Sequence, residues 1–264
     1  MAQIRPPAVA GMFYPAAPAE LRRAVQTYLD AAPGDGIEPR ALIAPHAGYI
    51  YSGPVAACAY KLLVASEAAR RVRRVALLGP SHFVPCRGLA LSTADAFDTP
   101  LGRVPIDRPA ADRIAALSQV IPLDAAHARE HSLEVHLPFL QTVLEDFRLV
   151  PLAVGDATPA EVAEVLDALL EGAETLLVIS SDLSHYHPYD IARKLDAETA
   201  AAIEALRPEA IGRDRACGRI PIQGLLALAR RKGWRVHRAD LRNSGDTAGP
   251  REQVVGYGAW AFFD

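Results

Sequence analysis

The chain has 264 residues, 50% of them hydrophobic and 22% charged, with a formal net charge of −3. That balance excludes a disordered or fibrous chain and any general electrostatic attraction to nucleic acid. A domain of this size buries roughly 75% of its unfolded surface, so it needs neither disulfides nor a structural metal to fold. No run approaches the ~18 apolar residues of a membrane span, and the opening residues lack the apolar core of a secretory signal. The 3 cysteines show no paired spacing, which points to a reducing compartment. The expectation is therefore a single domain over residues 1–264, cytoplasmic, with no membrane or nucleic-acid partner.

After a Pro/aromatic opening, residues 18–32 read as a helix ended by Pro33-Gly34-Asp35-Gly36. Ala41-Leu42-Ile43 is an apolar run leading into His46. Ser52 is placed to cap a helix over 53–64, with Pro54 in its first turn. Arg70, Arg71, Arg73 and Arg74 read as a helix C-terminus meeting a strand start, where cations suit the helix dipole. The next strand, Val75-Ala76-Leu77-Leu78, leads to His82. A β-rich stretch continues through Leu89-Ala90-Leu91 and Val104-Pro105-Ile106, then a helix over 108–117.

A helix over 133–144 must place Pro138 in its first turn or kink there. Residues 147–154 form a strand and 158–170 an amphipathic helix capped by Thr158. Leu176-Leu177-Val178-Ile179 is a third buried strand leading to Asp182. Helices over 189–206 and 221–231 and strands over 235–241 and 253–262 complete the chain. Repeated strand–helix alternation predicts a three-layer α/β/α fold around a mostly parallel sheet.

Three histidine-bearing segments therefore sit after three apolar strands: Ala44-Pro45-His46, Gly79-Pro80-Ser81-His82, and the SSDLSH run from Ser180 to His185. Ligands of open α/β sheets collect beyond the carboxyl ends of such strands. Neutral imidazole is the commonest metal ligand, so His46 and His82 are candidates to share one ion. Cys217, just before the Pro221 helix, is the third candidate, because a helix N-terminus and nearby Arg219 lower a thiol's pKa. Its competitors are Cys58, which reads as a small core residue, and Cys86, which reads as loop. Asp182 can orient an imidazole or ligate a metal, and His185 can pass a proton. No G-x-S-x-G elbow surrounds Ser181 or Ser184. In Glu130-His131-Ser132-Leu133-Glu134-Val135-His136 the spacing is not the zinc-protease H-E-x-x-H. His131, at the loop-to-helix junction, is the candidate that faces the pocket, whereas His136 reads as structural and His187, before Pro188, as a loop residue.

The segments APHAGYIYSG (44–53), LGPSHFVP (78–85), EHSLEVHLPF (130–139), SSDLSHY (180–186) and CGRIPI (217–222) together resemble, in order and spacing, the MEMO family (mediator of ErbB2-driven cell motility). Its bacterial and archaeal members are called AmmeMemoRadiSam system protein B. The match runs from Ala10-Gly11 to the final strand. The resemblance implies an α/β/α fold like that of class III extradiol (LigB-type) non-haem iron dioxygenases. It also implies His46, His82 and Cys217 at the metal-ligand positions, with Asp182, His185 and His131 as further pocket residues. A cysteine where those dioxygenases use a carboxylate suits iron, copper or zinc.

The expected function is that of an oxidoreductase holding one metal ion per chain, Fe(II) foremost with copper or zinc as alternatives, and acting on a small, phenolic molecule. Two other functions use the same residues: a non-catalytic module for a peptide or protein partner, and a metal-assisted hydrolase. The resemblance further implies functional association with AMMECR-type and radical SAM proteins.

Overall fold

The computed structural model describes residues 2–34, 36–170 and 174–264. Asp35, in the turn expected to end the first helix, lies outside them. In chain order the elements are β1 (Ile4–Arg5), α1 (Pro18–Ala31), β2 (Ala41–Ala44), α2 (Tyr49–Val64), α3 (Ala68–Arg71), β3 (Arg74–Pro80), β4 (Leu89–Leu91), β5 (Ala96–Thr99) and β6 (Gly102–Pro105). Next come α4 (Arg108–Ile114), β7 (Val120–Pro122), α5 (Ala125–Ala128), α6 (His131–Glu134), α7 (Leu137–Val143), β8 (Arg148–Val154), α8 (Pro159–Leu169) and β9 (Thr175–Ser180). The last are β10 (His185–His187), α9 (Tyr189–Glu204), α10 (Arg219–Lys232), β11 (Arg235–Asn243) and β12 (Val254–Phe263).

The apolar runs Ala41–Ala44, Val75–Pro80, Leu149–Val154 and Thr175–Ser180 are buried at every residue. Strands that read as continuous apolar runs suit a sheet covered on both faces. They form the parallel centre β2-β9-β3-β8. The flanks are antiparallel: β12 on β2, β10 and β11, and β4 on β8, with β7 parallel to β4 at the far edge. The sheet is thus mixed, where alternation alone predicts it mostly parallel. The reason is that β11 and β12 succeed one another without a crossover helix. A small second sheet orders β1-β5-β6. In one helical layer α2 covers β2, β11 and β12, with α1 and α7 packed on it. In the other, α10 packs on α8, β3 and β9, while α9 lies on β11 and β12.

Local differences have local causes. The second helix starts a turn earlier than predicted, at Tyr49 after Gly48, because Ser52 Oγ donates to the Ala47 carbonyl instead of capping. The helix expected over 133–144 is broken into α6 and α7, with Pro138 in the first turn of α7 where its missing N–H costs nothing. Thr158 and Glu161 form the capping box of α8. The arginine knot divides as expected between the end of α3 and the start of β3, with Arg71 paired to Glu38 and Arg74 to Asp107. Among the described residues no helix is long and apolar enough to cross a membrane.

Candidate metal centre

The carboxyl ends of β2, β3 and β9 open onto one cavity of about 690 Å³. All six residues nominated from sequence line it: His46, His82, His131, Asp182, His185 and Cys217. Phe13, Tyr51, Tyr186 and Tyr257 supply aromatic wall, and among the described residues no lysine or arginine lines the cavity.

His46, His82 and His131 each offer a ligand atom, and those atoms lie within 4.8 Å of one another. Their rings meet face to edge around His46, while His82 and His131 stack at 4.7 Å. Cys217 falls outside this group, but its Sγ stands 3.3 Å from His46 Nε2. A tetrahedral ion with bonds of ~2.1 Å to nitrogen and ~2.3 Å to sulfur separates such ligand atoms by roughly 3.5 Å. The donor set therefore fits a transition metal, with a small contraction of the histidine triangle.

Each histidine has a defined partner behind or beside it. His82 donates both its backbone N–H (2.6 Å) and its Nδ1–H (2.8 Å) to the Glu130 carboxylate. Glu130 also caps α6 by accepting from the Ser132 amide. Burial alone raises the Glu130 carboxyl, but these hydrogen bonds outweigh it and hold the pKa at about 2. A carboxylate locked behind an imidazole fixes its tautomer and orients the opposite nitrogen, here Nε2 of His82, toward the cavity. His131 rides on the first residue of α6 against the Phe13 ring at 4.7 Å, and burial with nearby His82 lowers its pKa to about 4. The close approach of α6 to β3 requires Gly79, because a Cβ there would meet Ser132 Oγ at 2.8 Å.

Cys217 departs from the sequence expectation. Its thiol is pushed up to about 12, first by burial and then by Asp182, and not lowered by the helix terminus. Arg219 turns away to bond Gln223. The thiol receives the Asp182 amide at 3.3 Å, and Gly218 admits this contact, since a Cβ there would meet the Ser180 carbonyl at 2.5 Å. Asp182 does not orient His185, as the sequence suggested it could. Its Oδ1 accepts the His46 amide at 2.8 Å, and burial raises its pKa to about 7. His185 is oriented by its own segment, donating Nδ1–H to the Leu183 carbonyl at 2.8 Å, which leaves Nε2 free on the cavity side. Desolvation lowers its pKa. The next residue, Tyr186, takes a left-handed φ of 59°, uncommon for a bulky residue and characteristic of functional sites.

Cys58 is a core residue hydrogen-bonded to the Pro54 carbonyl, as expected, and Cys86 lies outside the cavity lining. His136 is buried with both ring nitrogens bonded, to Tyr60 and Ser180. Glu130, Ser180, Tyr60 and Phe13 carry roles that sequence reading did not assign; only Glu130, standing just before a helix-opening histidine, left a usable signal.

Comparison with known proteins extends over nearly the whole length. The model of the Memo-like protein family matches residues 5–261. A MEMO1 family protein of Aquifex aeolicus is 38% identical over 270 residues, covering 97% of both chains. One of Methanothermobacter thermautotrophicus is 37% identical over 277 residues, covering 96% of this chain and 98% of its own. In fold, the chain resembles an uncharacterised protein of Escherichia coli K12 (TM-score 0.56, 15% identity, 85% of this chain and 99% of that one). Similarity of this kind over nearly the whole length makes this chain a member of the Memo-like family.

Proposed function

We propose that the chain is a metal-dependent oxidoreductase that acts with dioxygen on a small phenolic molecule. His46, His82 and His131 would hold one ion, with the Cys217 sulfur beside His46 as a further donor. One observation carries the reading: three imidazoles, each fixed from behind or stacked, converge at one end of an open aromatic cavity. Imidazole with a soft thiolate suits iron, copper or zinc, and the proposed dioxygen chemistry selects Fe(II) first among them. The bound metal would supply open coordination positions and redox capacity.

The protein's own groups divide the remaining work. Phe13, Tyr51, Tyr186 and Tyr257 give a planar ring apolar walls. The cavity offers no fixed cation, which favours an uncharged ligand over a phosphate or carboxylate. His185, neutral and with Nε2 free, accepts a proton from a substrate hydroxyl. Asp182 acts by fixing the backbone of the His46 loop rather than by relaying protons. A reducing cytoplasmic setting belongs to this reading, since all three cysteines are free, as does the family-implied association with AMMECR-type and radical SAM proteins.

A second reading, a docking module for a peptide or protein, draws on the cavity's rim. Met12, Ile50, Phe83 and Tyr186 are 72%, 62%, 46% and 69% exposed, and each lines the cavity or adjoins a lining residue in sequence. Metal analysis of anaerobically purified protein separates the possibilities. One equivalent of iron or copper, lost in His46→Ala without unfolding, supports the oxidoreductase. Zinc supports hydrolysis, and a site that takes up no metal supports docking.

A further inference from the structure

Behind His46 lies a buried chain of polar atoms with a single self-consistent arrangement of protons. Ser180 Oγ stands 2.5 Å from the Ser132 carbonyl, 2.6 Å from His46 Nδ1 and 2.8 Å from His136 Nε2. His136 Nδ1 in turn is 2.8 Å from the Tyr60 hydroxyl. His46, Ser180, His136 and Tyr60 are all at most 2% exposed, so no bulk water substitutes for a missing partner.

The proton order comes from donor counting. A carbonyl brings no proton, so the hydrogen in the short Ser180–Ser132 contact must be the serine's own. With that proton committed, Ser180 offers only its lone pairs to the two imidazoles. Both facing nitrogens, His136 Nε2 and His46 Nδ1, must then be N–H donors. A ring whose one proton is spent on Ser180 carries a lone pair on its other nitrogen. At His136 that lone pair accepts the Tyr60 hydroxyl; at His46 it is Nε2, which faces Cys217 and the cavity.

We propose that Ser180 is a positioning residue that fixes His46 as the Nδ1-protonated tautomer, its Nε2 lone pair aimed into the cavity before any ligand arrives. Neutral imidazole in water favours the opposite tautomer, so the protein must impose this one, and the atoms that impose it are named above. The metal reading gives this its purpose, since an imidazole ligand is prepared by the hydrogen bond its other nitrogen makes. Tyr60 and His136 are the outer members: they hold the second lone pair of Ser180, leaving the serine no spare acceptor that would let it rotate.

The test uses the full-length, metal-free protein with 15N-labelled histidine, because protonated and bare ring nitrogens give well-separated resonances. The expected spectrum shows His46 protonated at Nδ1 and His136 protonated at Nε2. Ser180→Ala should return His46 toward the solution tautomer and raise the Kd for Zn2+, used as probe, by roughly 10–100-fold; Ser180→Thr should restore both. Tyr60→Phe, which keeps the stacked contact with Phe139, removes only the outermost partner and should leave His46 protonated at Nδ1 and His136 at Nε2. An Nε2-protonated His46 in the parent, or a Ser180→Ala protein with unaltered spectrum and affinity, overturns the proposal. If the parent shows the expected tautomers yet binds no Zn2+, the positioning role stands and the metal reading falls.

Discussion

Acid should destabilise this protein steeply between pH 6.5 and 4, because it buries neutral histidines. Burial lowers His127 and His131 to about 4 and His136 to about 3, from an ordinary value of 6.5. His46 moves in the same direction. A histidine with a depressed folded pKa is proton-free in the fold while the unfolded chain already carries the proton. Its stabilising contribution is complete above pH 6.5 and is lost as the pH falls toward the folded value. Asp182 opposes this: raised from 3.8 to about 7, it takes up a proton in the folded state first and gains stability over the same range. Three histidines less one aspartate leaves a net of two protons, and His46 raises it toward three. At about 1.4 kcal/mol per proton per pH unit, the descent from pH 6.5 to 4 removes roughly 7 kcal/mol, most of a typical domain's stability. Urea unfolding in the presence of a chelator, repeated between pH 7.5 and 4.5, measures the slope directly. A slope below one proton, or greater stability at pH 5 than at pH 7, would refute the argument.

Cys217→Ser should still bind Zn2+ through the three histidines but more weakly, by roughly tenfold or more; equal affinity, by competition with a chromogenic chelator, would remove Cys217 from the site. His185→Ala should keep full metal content while abolishing dioxygen-dependent turnover, and loss of metal from that variant would make His185 a ligand instead. Glu134→Gln should cost about 3–5 kcal/mol in chemical unfolding. Glu134 is fully buried, pairs with Arg5 and accepts the Ala8 and Val9 amides and the Tyr14 hydroxyl. A loss under about 1 kcal/mol, on the scale of a surface pair, would contradict this.

The sheet and the strand-end histidines were legible because they rest on local signals. An apolar run buried on both faces needs no knowledge of its neighbours, and Ala41–Ala44, Arg74–Pro80 and Thr175–Ser180 announce themselves. The antiparallel flank was less visible, since β12 chooses between parallel and antiparallel neighbours by topology rather than by composition. Tyr60 sits in an apolar helix and reads as core; only packing brings its hydroxyl to His136, 76 residues away. The Cys217 thiol shows how a sound local rule loses to tertiary context. The start of α10 does lie beside it, yet burial and Asp182 outweigh the helix terminus.

The same burial explains the character of the whole pocket. Removing a group from water disfavours its charged form, so it lowers histidines and raises thiols and carboxyls alike. Here it lowers His46, His131 and His185 and raises Cys217 and Asp182. At neutral pH the pocket thus presents imidazole lone pairs, an undissociated thiol and a half-titrated aspartate, with Glu130 as its firmly ionised carboxylate. That carboxylate lies behind His82 rather than facing the cavity. A cation entering finds the lone pairs of His46 and His131 already bare. Any thiolate it recruits must be made on arrival, by release of the Cys217 proton. An anion meets the reverse, with no lysine or arginine among the described residues of the lining. The residues that make the cavity apolar toward its ligand are therefore the ones that prepare it for a metal, and both properties arise from burying these side chains beyond the ends of the parallel strands.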